Sequence, residues 1–83
     1  MSATVINEKV EAGAVFTGQK IKPKWFIWNK RKIDIEETTY TWRSNDGSAE
    51  LLHFSVRTNN GNYYELSYNK KTLQWVLEKT EVE

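Results

Sequence analysis

The chain has no cysteine, one proline, one histidine and only four glycines among its 83 residues. Without cysteine there is no disulfide framework, no thiol nucleophile and no cysteine-ligated metal. With His53 as the single histidine, no pair can share a zinc ion, and no Asp/Glu spacing matches a metal loop. Gly13, Gly18, Gly47 and Gly61 are isolated, which excludes a phosphate-cradling glycine loop. Long apolar runs are missing too. The opening Met1-Ser-Ala-Thr-Val-Ile-Asn-Glu-Lys-Val10 lacks the apolar core of about 7–15 residues that a signal peptide needs. No stretch approaches the ~20 residues of a membrane span. The expectation is a cytoplasmic protein with no cofactor, no metal and no membrane partner.

Helical periodicity is also lacking: no segment keeps apolar residues at i, i+3, i+4 and i+7 over ten or more positions. What is present is aromatic and β-forming. Eleven aromatic residues (four Trp, four Tyr, three Phe) concentrate buried area in few positions. They partly offset the small core of a short chain, which buries only about 60–65% of its unfolded surface. The stretch Lys24-Trp25-Phe26-Ile27-Trp28 is the focus. Alternation puts Trp25 and Ile27 on one face and Phe26 and Trp28 on the other, so both faces require cover, as in a central or barrel-closing strand.

Residues 1–13, poor in aromatics, are expected to fray, with one β-domain over 14–80 and a frayed end at 81–83. Strands are predicted near 14–17, 23–29, 31–43, 49–58, 62–68 and 72–80. Asn29-Lys30 fits a two-residue hairpin turn, Ser44–Ser48 a loop, and Asn60-Gly61 a primed turn. Ile33 and Ile35 differ in parity from Tyr40 and Trp42. A β-bulge near Glu36-Glu37-Thr38 would bring all four to one face, because an inserted residue flips the alternation. The last inward face is Leu73, Trp75 and Leu77. The predicted core is Phe26, Trp28, Ile33, Ile35, Leu52, Phe54, Val56, Leu66, Trp75 and Leu77. The fold class is all-β: a five- to six-stranded antiparallel meander closed into a small SH3-like or partly open barrel.

The pattern Pro23-x-x-Phe26-x-Trp28-x-x-Arg31, followed by Trp42, Tyr64-Glu65-Leu66 and Trp75-x-x-Glu78, resembles a family of short bacterial β-domains of unknown function. The resemblance spans about residues 15–80, with Ile33 where that family is expected to carry an aromatic. It implies a small β-domain and supplies no catalytic residue.

Net charge is +1 but unevenly distributed. Residues 1–33 hold seven Lys/Arg and two Glu (+5), whereas 34–83 hold five basic and nine acidic residues (−4). Either antiparallel pairing brings the halves together and neutralises them, which is the commoner outcome, or the basic half forms an interaction surface. Lys20, Lys22, Lys24, Lys30, Arg31 and Lys32 interleave with Trp25, Phe26 and Trp28, the combination by which small barrels hold single-stranded nucleic acid. The opposing reading is a core of tryptophans beside solvated lysines that protect an edge. His53, on the more polar face of its strand, reads as a surface histidine, and Asp34 with Glu36 as surface carboxylates. Ser44–Ser48 lacks the terminal Glu of a calcium loop. The expected function is therefore a non-enzymatic binding domain. Its partner is another protein or a second copy at an edge strand, or single-stranded nucleic acid at the basic-aromatic hairpin around residues 20–32.

Overall fold

A computed structural model describes residues 2–82. The chain is all-β, with strands β1 (Ser2–Thr17), β2 (Lys20–Trp28), β3 (Arg31–Asp46), β4 (Ala49–Thr58), β5 (Tyr63–Asn69) and β6 (Gln74–Val82). Each strand pairs antiparallel with the next, and β1 pairs with β6, so the meander closes into a ring.

The two longest strands shape this ring. Sixteen residues at ~3.3 Å each span ~53 Å, but the molecule measures only 34 Å along its longest axis. β1 and β3 must therefore bend, and each serves two sheets. β1 pairs with β6 through Val10 and with β2 from Glu11 onward. β3 pairs with β2 through Asp34 and with β4 from Ile35 onward. The bends fall at register shifts, where an extra residue sharpens the local twist. In β1 the extra residue lies between Val5 and Glu8, with Asn7 at φ 54°, whereas at the shift opposite Gly13 and Ala14 the inserted residue is Lys24 of β2.

In β3 the register shifts twice, between Ile35 and Glu37 and between Thr38 and Tyr40. The first is the bulge expected near Glu36-Glu37-Thr38. The second reverses its effect on parity. Thr38 and Thr41 sit opposite the buried Val56 and Phe54, so Tyr40 and Trp42 remain on the outer face, opposite Ser55 and His53. Alternation alone cannot disclose a second inserted residue.

Other expectations are corrected as well. Residues 2–13 are strand rather than a frayed end. Val10, Ala12 and Ala14 pack against the core, and the β6 ladder satisfies the backbone of the first half of β1. β6 likewise runs to Val82; the expected fraying of Met1 and Glu83 falls outside the described residues. The loop predicted over 44–48 shrinks to Gly47-Ser48, since Asp46 still pairs with Ala49. Leu73 is not inward: it closes the β5–β6 turn at φ 63° and is 67% exposed, with its N–H donating to the Asn69 carbonyl. Asn29-Lys30 does form a primed turn, both residues having positive φ. At Asn60-Gly61 only Gly61 does. There the Gly61 N–H donates back to the Thr58 carbonyl, so the turn centres on Asn59-Asn60 and Gly61 follows in the left-handed region.

The core is continuous. Phe26, Phe54, Val56, Tyr64, Leu66, Tyr68, Trp75 and Leu77 are buried, and Trp28, Ile33, Ile35 and Leu52 pack half-buried around them. Phe26 lies edge-on to Tyr64 with ring centres 5.2 Å apart, and Tyr68 packs on Trp75 at 4.8 Å. Tyr64 and Tyr68 extend the predicted core, each burying most of its ring.

Candidate functional site

The basic stretch runs the length of β2. Lys20 and Lys22 pair opposite Thr17 and Val15, on the face away from the core. Lys24 lies at the register shift opposite Gly13 and Ala14. Lys30 occupies the turn, and Arg31 and Lys32 begin β3 opposite Trp28 and Ile27. All six are exposed. From Lys20 to Trp28 the strand covers ~26 Å and Lys30 follows in the turn, so these cations form a ridge along one side of the barrel rather than one cluster.

They are not neutralised. Among the described residues Lys20, Lys22, Lys24, Lys30 and Arg31 make no ion pair, and Lys32 only approaches Asp34 at 3.9 Å. The acidic half is largely engaged internally. Arg57 donates to Glu36 and Glu37 at 2.6 and 2.7 Å, Lys70 and Arg43 hold Glu50 at 3.0 and 3.5 Å, and Lys79 meets Glu65 at 3.4 Å. The hydrogen bond and charge of Lys70 pull the Glu50 carboxyl below its usual range, while bonding to Glu37 raises the Arg57 guanidinium further. The expected neutralisation between halves fails for a topological reason. An up-and-down meander pairs neighbours in sequence, so β2 lies between β1 and the first residues of β3, where Arg31 and Lys32 precede Asp34, and its ladder stops short of Glu36 and Glu37.

Trp25 sits in this ridge. It pairs opposite Gly13, and a Cβ added at Gly13 would overlap Cε2 and Nε1 of its indole. The ring therefore lies flat across bare backbone on the outer face, with Lys32 Nζ 5.4 Å from its centre. The outer face of β2 thus needs no second layer: its own tryptophan covers it.

Two clefts flank the ridge. At the hairpin tips a cleft of about 620 Å³ is lined by Trp28, Arg31, Ile33, Asp34, Asn59, Asn62 and Tyr64, among others. At the opposite end, the β2–β3 ladder stops after four residue pairs, Trp25–Trp28 with Arg31–Asp34. Above it the strands diverge around a cleft of about 590 Å³ bounded by Lys20, Lys22, Glu36 and Trp42 and floored by Ile21, Leu52 and Phe54. Among the described residues the backbones of β2 before Lys24 and of β3 beyond Ile35 each have one ladder only. The Thr38 hydroxyl on this seam is buried without a hydrogen-bond partner among the described residues.

His53 is not the surface histidine expected. Its side chain is 11% exposed and stacks on Trp42, with ring centres 5.0 Å apart and planes 6° from parallel. Nε2 is hydrogen-bonded to Ser44 Oγ at 2.6 Å, and Nδ1 points toward Glu65 Oε2 at 3.7 Å. Sequence reading could not find this row, because three strands bring its members together. As a Ser–His–carboxylate relay it lacks the bond from Nδ1 that orients the imidazole, and Glu65 is shared with Lys79. Asp34 and Glu36 are separated in role, Asp34 facing Lys32 and Glu36 held by Arg57.

The residues of the motif Pro23, Phe26, Trp28 and Arg31 fall on one hairpin, with Pro23 and Phe26 buried and Arg31 at the tip cleft. Compared with family models, curated proteins and solved structures, the chain gives no match, so the site stands on its own geometry.

Proposed function

We propose that this barrel is a single-stranded nucleic-acid-binding domain that lays the strand along β2. The observation that carries the reading is the uncompensated cationic ridge with a flat tryptophan set in it. Lys20, Lys22, Lys24, Lys30 and Arg31 lack carboxylate partners among the described residues, and Trp25 spreads its indole outward over Gly13. Cations spaced along a strand follow phosphates, and an aromatic face accepts any base. No base-reading groups are required for such binding, which agrees with the simple chemistry of lysine.

Fluorescence anisotropy of an oligothymidylate of about twelve nucleotides, within the ~4–16 that a small barrel covers, tests it at about 50 and 200 mM salt. Five phosphate contacts predict a log–log salt slope of about −3.5, from ~0.7 per contact on a single strand. The double variant Lys30→Glu/Lys32→Glu should bind more weakly with a flatter slope and keep its fold, because both side chains are exposed. Unchanged binding by that variant removes the hairpin from the site; no binding by the wild type refutes the proposal.

A second reading is favoured by the seam. Unpaired edges of β2 and β3, an apolar floor and the unpartnered Thr38 hydroxyl suit an extended segment of another protein, or of a second copy, adding a strand there. Salt-insensitive self-association or peptide capture, without oligonucleotide binding, would select it.

A further inference from the structure

The geometry points to the cleft between the two hairpin tips as a nucleotide pocket that takes one base and its phosphate from the bound strand; this rests on the strand-binding reading above. The cleft lies at the end of the basic ridge, where Lys30, Arg31 and Lys32 turn from β2 into β3. The β4–β5 tip forms its opposite wall, tied to β3 by the Asn59 N–H donating to the Asp34 carbonyl at 3.3 Å. Its volume, about 620 Å³, falls within the ~300–1,000 Å³ of small-ligand sites.

Its lining combines three kinds of group that a nucleotide requires. Trp28 and Tyr64 meet edge-on at 6.2 Å and present aromatic surface at the base of the cleft. Trp28 is fixed there, because its indole N–H donates to Glu8 at 2.9 Å. Arg31 has no carboxylate partner among the described residues, and its planar guanidinium is suited to grip a phosphate with two parallel bonds. The Asn59 and Asn62 amides make no side-chain hydrogen bond within the described residues, and each offers the adjacent donor and acceptor that match a base edge. Asn60 differs: its Oδ1 accepts from Thr58 and is occupied. Asp34, 3.9 Å from Lys32, can accept from a base amino group or a ribose hydroxyl.

The ridge and the pocket thus divide the task. Lysines along β2 hold phosphates without regard to sequence, and the tip adds contacts to a base. A peptide would use the backbone edges of the seam, whereas the tip cleft offers side-chain amides, rings and the Arg31 guanidinium.

Titration of the full chain with AMP, CMP, GMP and UMP, followed by amide and indole resonances in two-dimensional NMR, tests the pocket apart from the ridge. The expected result is saturable shifts confined to Trp28, Arg31, Asn59, Asn62 and Tyr64, with the four nucleotides differing in affinity. Arg31→Ala should weaken the best of them at least about tenfold, and Asn59→Ala/Asn62→Ala should narrow the spread among bases. Both variants alter exposed side chains and should leave the dispersed spectrum of the folded barrel intact. Ribose 5-phosphate binding as well as any nucleotide would overturn the base contacts. Oligothymidylate binding without mononucleotide shifts would overturn the pocket and leave the ridge. Mononucleotide shifts at the tip without oligonucleotide binding would support the pocket and overturn the ridge; neither kind of binding overturns both.

Discussion

Gly13 and Trp25 form a pair whose coupling can be predicted with its sign. Gly13 is not in the left-handed region, so its backbone accepts alanine without strain. In a strand interior, replacing glycine by alanine is worth about 0.5–1 kcal/mol through lost unfolded-state freedom. Here the new methyl would overlap the Trp25 indole. If the ring swings off the sheet and exposes ~100 Å² of apolar surface, the loss is ~2.5 kcal/mol at ~25 cal/mol/Å², within the ~1–3 kcal/mol typical of overpacking. Gly13→Ala should therefore destabilise the wild type by about 1.5–2 kcal/mol net. In a Trp25→Ala background the clash is gone and the same substitution should stabilise by about 0.5–1 kcal/mol. Urea unfolding followed by far-UV circular dichroism resolves this, since total stability is expected to be about 4–12 kcal/mol for a chain of this size. Equal effects of Gly13→Ala in both backgrounds would refute the packing of the indole on Gly13, and with it the flat stacking platform.

Phe26 is 0% exposed, so Phe26→Ala should cost about 3–5 kcal/mol in urea unfolding; the half-buried Trp28 should cost less on the same truncation, and the reverse order would contradict the core assignment. Leu73 holds φ 63° with an exposed side chain, so Leu73→Asn should raise the melting temperature by relieving about 1 kcal/mol of backbone strain, whereas a fall would place Leu73 in a packed site. The Lys70 hydrogen bond and charge depress the Glu50 carboxyl below its ordinary value of 4.5, so this pair stabilises the fold above that pH and the contribution is lost as the pH falls through the depressed value. The urea midpoints of wild type and Glu50→Gln should accordingly differ at pH 7 and converge as the pH falls through the depressed value; a constant gap would show that the charge plays no part.

Much of this architecture was legible locally. Alternating Leu52, Phe54 and Val56, the primed turn at Asn29-Lys30 and the absence of helical periodicity depend on near neighbours, and all-β architecture follows from them. The cationic ridge was legible as well, because a meander keeps sequence neighbours adjacent, so the charge imbalance between halves survives folding. Other features depend on residues far apart in the chain. Residues 2–13 look too weakly apolar to be ordered by themselves, and only the β6 ladder and the core under Val10 and Ala12 make them strand. The second bulge of β3 exists because a 16-residue strand must bend around a 34 Å molecule, and it alone decides that Tyr40 and Trp42 face outward. The Ser44–His53–Glu65 row and the tip cleft arise where separate strands and turns converge, positions that alternation within one strand does not specify. The sequence determined the strands and the sign of the surface by short-range alternation and composition. Ring closure decided which faces, edges and clefts that surface presents, because closure is a long-range constraint on every strand at once.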